Sequence, residues 1–215
     1  MTTRGGGHRY GAVLILTLAM ATFVLATPDT GVTRGLGLAI AGAGLLAAML
    51  TSGARPAVRH AAGIALAAAL VLAGFAAIAG AHPGMLAFSA TAVINALTIA
   101  VILGGLVRLV QDDGVGVQTV FGALAIYLLV GLTFGFLIGA FATGFDGNYF
   151  AQGTDGVQSQ RVYFSFTTLT TTGYGDLTAR TAPARALAVL EMLIGQLYLV
   201  TVIATLVGNL RHARR

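Results

Sequence analysis

The chain has 215 residues, of which 57% are hydrophobic and only 9% charged, with 30 glycines and no cysteine. A soluble domain carries about 25% charged residues, and disorder requires low hydrophobicity with high net charge, so both classes are excluded and an integral membrane protein remains. All twelve basic residues are arginines scattered along the chain, giving a net charge of +5 that suits membrane flanks rather than nucleic acid; without cysteine there is no disulfide framework, thiolate nucleophile or cysteine metal site.

At about 20 residues per transmembrane helix, the apolar pattern predicts six spans, at about 11–26, 35–50, 61–81, 85–110, 120–142 and 183–210. Turn signals separate them: Thr27-Pro28-Asp29, Ser52-Gly53, His82-Pro83-Gly84 and Asp112-Asp113-Gly114. Arg4 and Arg9, with Val24-Leu25-Ala26 further on, also form a signal-peptide pattern; its removal would leave the orientation of the later spans unchanged. With the amino terminus inside, Arg4, Arg9, Arg55, Arg59, Arg108, Arg211, Arg214 and Arg215 are cytoplasmic and Arg34, Arg161, Arg180 and Arg185 external. That bias predicts a multi-pass cell-membrane protein with both termini cytoplasmic and the polar segment 143–182 facing out.

Small residues recur every fourth position, as Gly35, Ala39, Ala43 and Ala47 in the second span and Gly131, Gly135 and Gly139 in the fifth. In lipid such ridges let backbones approach closely. The strict glycine register predicts that the fifth span is pressed against another helix. For the second span, plain abundance of Gly and Ala explains the pattern equally well.

Between the fifth and last spans lies Gln158–Phe166, long enough for a half-helix, followed by Thr167-Thr168-Leu169-Thr170-Thr171-Thr172-Gly173-Tyr174-Gly175-Asp176. Non-helical backbone at membrane depth is permitted only where it is buried in protein or lines a water-filled path. A span, a half-helix, a glycine-rich strand and another span make a re-entrant pore loop. An ion stripped of water needs inward-pointing oxygens at closely stacked levels. Backbone carbonyls supply them if residues alternate between ordinary and glycine-like conformations, which Gly173 and Gly175 permit. One chain offers one carbonyl per level, so a closed ring needs several copies around an axis.

Thr171-Thr172-Gly173-Tyr174-Gly175-Asp176 resembles the signature of the potassium-channel pore family, with Thr172 where Val or Ile is commoner. Tyr163-Phe164 stand where that family has an aromatic pair at the base of its pore helix, and Gly195 where its inner helix carries a hinge glycine. The resemblance covers about 120–210. It implies an all-α integral membrane protein with a re-entrant pore half-helix (about 158–170) and an extended selectivity filter (171–175) between an outer helix (about 120–142) and an inner helix (about 183–210). Residues 1–114 would form a four-helix N-terminal membrane region and 115–215 the pore domain. It further implies a homotetramer in membrane lipid that conducts K⁺ passively, with K⁺ held at Thr171, Thr172, Gly173 and Tyr174 and Gly175 completing the strand. The electrochemical gradient drives the ion, so no cofactor, nucleotide or nucleic-acid partner is expected. The alternatives are a non-selective monovalent cation channel and a subunit of a K⁺ uptake system, although the latter usually carries four pore loops in one chain.

Around the filter, Asp176 is expected to concentrate cations or to hold the strand through Tyr163. Thr167 replaces a glutamate found in some bacterial relatives, and the hydroxyls of Thr167 and Tyr163 are expected to support the filter. Steering by the vestibule should be weak, because Arg161, Arg180 and Arg185 offset Asp146, Asp155 and Asp176. Glu191, the one acidic residue inside a predicted span, should face protein or water and can reach Ser165 or Thr168 as a neutral prop, with proton sensing as a second role. Gly195 serves as a gating hinge or as a close-packing contact, and Leu199 and Ile203 follow at helical spacing toward an inner cavity.

The fourth span carries only Arg108, whereas a voltage sensor needs several arginines on one helix. His8, His60, His82 and His212 lack metal-ligand spacing. An intramembrane enzyme would need a Ser/His pair, paired aspartates or a metal site, and none is visible in the spans.

Overall fold

The computed structural model describes residues 10–52, 83–144 and 147–205, with the single positions 63, 67 and 208. The third expected span lies outside the described residues apart from Gly63 and Ala67, as do the four histidines, Asp146 and the arginines at 4, 9, 55, 59, 211, 214 and 215. The described chain is helical: α1 (Tyr10–Ala26), α2 (Gly31–Thr51), α3 (Pro83–Asp113), α4 (Val117–Gly144), α5 (Gln158–Leu169) and α6 (Ala182–Tyr198), the last continuing into a π-helical turn, Leu199–Ile203.

Among the described residues, four helices are long and apolar enough to cross a membrane, at Gly31–Thr51, Gly84–Asp112, Val117–Gly144 and Ala182–Val202. The apolar α1 has 17 residues, or about 26 Å at 1.5 Å per residue, just under the thickness of a hydrocarbon core. At 12 residues, α5 is about 18 Å long and too short to cross. Polar caps set several helix ends. Thr30 and Thr33 reciprocally cap α2, Thr181 accepts from the Ala184 amide at the start of α6, and Gln160 Oε1 accepts the Val157 N–H at 2.9 Å at the start of α5.

The central element is α4, which packs against α1, α3, α5 and α6. Its glycine ridge seats the half-helix. A Cβ on Gly131 would meet the Phe166 ring at 2.8 Å, one on Gly135 would meet Val162 Cγ2 at 2.7 Å and Val162 Cα at 3.0 Å, and one on Gly139 would meet Gln158 Oε1 at 2.8 Å. Residues 158, 162 and 166 recur every fourth position of α5, so two ridges of matching pitch interlock. The corresponding ridge of α2 plays no such part. Ala39 and Ala43 are exposed and nothing lies near a Cβ on Gly35, whereas Gly37, Ala41, Leu45 and Ala48 form the buried face. Of that repeat only Ala47 packs against the core, so composition accounts for the rest of it.

Gly135→Ala should therefore lower stability by about 1–3 kcal/mol, because the obstructing atom at 3.0 Å is backbone and cannot rotate away. Thermal unfolding in detergent checks this against Gly42→Ala, where the added methyl meets nothing within 4 Å and no loss is expected.

On the side of the α1–α2 connection, the N-terminal helices are joined to α5 by charge. Asp29 Oδ1 accepts from Arg34 Nε at 2.6 Å, and Asp29 Oδ2 lies 3.9 Å from Arg161 Nη1. Both guanidinium groups stand over the Phe88 ring, at 5.0 and 5.2 Å from its centre. Arg161 is thereby buried and also donates to the Asp155 carbonyl at 2.9 Å. It cannot act as an open vestibule charge, so the expected offset of Asp155 and Asp176 by three arginines loses one member.

Candidate functional site

The site begins where α5 ends. Thr170 caps the half-helix through its amide and hydroxyl, both of which donate to the Phe166 carbonyl. The chain then leaves helical geometry with an alternating backbone. Thr171 has φ +56°, Gly173 +53° and Gly175 +80°, while Thr172 and Tyr174 keep negative φ. Left-handed residues at every second position turn successive carbonyls toward one side of the strand. The amides point elsewhere: Thr171 N–H donates to the Thr168 carbonyl at 2.9 Å, and those of Thr172 and Gly173 to the Thr167 carbonyl at 2.8 and 3.1 Å. Among the described residues, no carbonyl from Thr171 to Tyr174 accepts a hydrogen bond. Residues 170–176 are all exposed on the single chain.

Two of these left-handed positions, Gly173 and Gly175, follow from the glycine pattern; the third does not. Thr171 is β-branched and strained at positive φ. It is held from two sides, by its amide on Thr168 and by Gln196 Nε2, which donates to its hydroxyl at 3.2 Å. Gln196 was missed by the sequence reading, although a polar side chain inside an apolar span beside Gly195 was its signal.

Tyr163 and Tyr174 stack with ring planes 2° apart and centres 6.2 Å apart, so the half-helix braces the strand. Partial desolvation and the Asp176 carboxylate beside its hydroxyl raise the Tyr163 phenol above its usual range, so it remains a protonated donor at neutral pH. Asp176 Oδ1 also accepts the Leu177 amide at 3.0 Å. Thr167 supports the strand differently from the expectation. Its hydroxyl turns back to the Phe164 carbonyl at 2.9 Å, and the support comes from its main-chain carbonyl. Phe164 packs edge-on against Tyr149 and Phe150 in the loop after α4. That loop in turn ties down the segment leaving the site. The Ala151 amide donates to the Thr178 carbonyl at 2.8 Å, the Arg180 amide to the Tyr149 carbonyl at 2.9 Å, and Gln152 bonds to Thr178 through both ends of its amide. Burial pushes the Tyr149 phenol well above its usual range.

Tyr163→Phe keeps the ring stack but removes the donor to Asp176. If the strand lines an ion path, as the resemblance above implies, conduction should then decay several-fold faster, read as the time course of ion uptake into liposomes. An unchanged time course would make the hydroxyl dispensable.

Glu191 is fully buried, and Ser165 lies between it and α4, with Oγ 2.5 Å from Glu191 Oε1 and 2.6 Å from the Gly131 carbonyl oxygen. Gly195 sits one turn further along α6, inside regular helix. A Cβ there would strike the Leu169 carbonyl oxygen and meet Leu169 Cδ1 at 2.9 Å. Of its two expected roles, the close approach is thus visible, while the departure from α geometry falls four residues later, in the π turn. That turn covers Leu199 and Ile203, so the α spacing that put them on one face does not apply. Otherwise α6 is sparsely covered: Val189, Leu190, Leu193 and Leu197 are all about half or more exposed.

A family model described as an ion channel matches residues 122–212. The matched stretch runs from the second turn of α4 through the half-helix, the alternating strand and α6, and continues past the π turn to residue 212. No curated protein and no solved structure matches the chain.

Proposed function

We propose that the chain is one subunit of a homotetrameric potassium-selective channel of the cell membrane, with its filter mouth external and both termini cytoplasmic. Thr171, Thr172, Gly173 and Tyr174 present the carbonyls that replace the water around K⁺, and Gly175 completes the strand. The observation that carries this reading is the alternation of left-handed backbone at Thr171, Gly173 and Gly175, together with carbonyls from Thr171 to Tyr174 that accept no hydrogen bond among the described residues. Carbonyl oxygens that accept no protein hydrogen bond along such a strand are available to ligate a dehydrated cation. One chain supplies only one wall. Four is the number of strands around the axis in potassium-channel filters built from TVGYG loops, and the exposed strand together with the apolar, half-covered α6 offers the surface for that assembly.

The half-helix contributes electrostatically. Its C-terminal carbonyls, at Phe166–Leu169, lie at the start of the strand, where the negative end of the helix dipole favours a cation. The ion moves down its gradient, so the subunit needs no cofactor, nucleotide or chemical step. Within the N-terminal region, α3 carries a single arginine, Arg108, near its cytoplasmic end, which argues against the usual arginine-driven voltage sensing.

The test is ion flux into liposomes containing the purified protein, comparing K⁺, Rb⁺ and Na⁺. Flux of K⁺ and Rb⁺ far above Na⁺ supports the proposal. Equal K⁺ and Na⁺ flux replaces it with a non-selective cation channel.

A further inference from the structure

The contact between the inner helix and the half-helix contains more hydrogen-bonded oxygens than the serine alone can serve. Gly131 O, Ser165 Oγ and Glu191 Oε1 stand in a row, with separations of 2.6 and 2.5 Å. Oxygens this close without a hydrogen between them would repel, so each separation is a hydrogen bond and two hydrogens are required. The Gly131 carbonyl supplies none, and a serine hydroxyl supplies one. The second must come from Glu191. We infer that Glu191 is a neutral carboxylic acid that donates from Oε1 to Ser165 Oγ, and that Ser165 passes its own hydrogen to the Gly131 carbonyl. One proton thereby completes a chain from α6 through α5 to α4.

A separate observation agrees. Glu191 Oε2 is buried and has no hydrogen-bond partner among the described residues. As half of an ionised carboxylate this oxygen would carry charge with nothing to solvate it, a costly state; as the carbonyl oxygen of a neutral acid it is a single weakly penalised acceptor. No described cation balances it. The ionisable groups acting on Glu191 from the elements around it are the phenols of Tyr127 on α4 and Tyr149 in the following loop. The described ion pairs, Arg34–Asp29 and Arg161–Asp29, involve other residues. Because Glu191 is already fully enclosed within one chain, a neighbouring copy cannot bring a counter-charge to it.

The consequence is positional. The Glu191–Ser165 hydrogen bond pins α6 to the half-helix one turn from the place where Gly195 meets Leu169, and the Ser165–Gly131 bond ties the half-helix in turn to α4. That consequence rests on the channel reading above; the proton itself does not.

Glu191 is the sole glutamate of the chain, so ¹³C-glutamate labelling of the full-length protein in lipid reports this one carboxyl. Solid-state NMR or infrared spectroscopy at neutral pH should show the signature of a protonated acid, and a carboxylate signature would overturn the inference. Glu191→Gln keeps a neutral donor to Ser165 and should retain K⁺ flux within about twofold, whereas Glu191→Ala should lose about tenfold or more. If Glu191→Gln fails as badly as Glu191→Ala, the pinning role is wrong. If the unsubstituted protein conducts nothing, the channel reading fails, and the labelled carboxyl still decides the protonation.

Discussion

Gly173→Ala should abolish K⁺ flux, bringing uptake to the level of protein-free liposomes, while the protein still assembles and elutes as it did before. Gly173 occupies φ +53° in the middle of three alternating left-handed positions. An L side chain there costs about 1–2 kcal/mol per subunit, and on the order of 4–8 kcal/mol for a ring of four. The surrounding space offers no steric reason for failure, since a Cβ at Gly173 meets nothing within 4 Å in the single chain. The strain is conformational, and the chain relieves it by rotating the peptide, which takes a carbonyl out of the row. Helix packing lies elsewhere and should survive. A Gly173→Ala protein that still passes K⁺ over Na⁺ would show that these carbonyls are not the ligands.

Gly195→Ala should reduce both thermal stability and K⁺ flux. The new methyl would run into the Leu169 carbonyl oxygen, a backbone atom that moves only with the end of the half-helix. Overpacking of this kind costs about 1–3 kcal/mol. Leu169 immediately precedes Thr170 and Thr171, so relief of the clash shifts the inner end of the strand and with it the Gln196–Thr171 hydrogen bond. A residue acting purely as a hinge would behave otherwise: its substitution would change opening while leaving the melting temperature alone. Measuring both quantities on the same variant separates the two roles.

Much of this arrangement is legible in the chain because membrane depth leaves few options for a backbone. A helix runs over Gln158–Leu169, close to the bounds expected for a pore half-helix (about 158–170), and another over Val117–Gly144, close to those expected for an outer helix (about 120–142). Both are bounded by composition, a strong signal in an apolar chain. The glycine ridge on α4 was equally readable, since strict four-residue spacing has a direct geometric meaning. Other features depend on contacts between distant segments. The pairing of Asp29 with Arg34 and Arg161 brings the α1–α2 connection to the half-helix, and counting arginines by membrane side gave no hint of it. Left-handed Thr171 was hidden because threonine disfavours that conformation and adopts it here only under restraint from Thr168 and Gln196. The π turn at Leu199–Ile203 is likewise a product of packing, as its residues would suit an ordinary α-helix. Thr167 is the instructive case: its side chain drew the expectation, and its carbonyl performs the support.

The most direct measurement is anomalous scattering from crystals of the assembled protein grown with Rb⁺ or Tl⁺ in place of K⁺. Four strands should surround a shared axis, with ion peaks on that axis between successive carbonyl levels from Thr171 to Tyr174. Ion density lying elsewhere, or strands of neighbouring subunits too far apart to share an ion, would contradict the account.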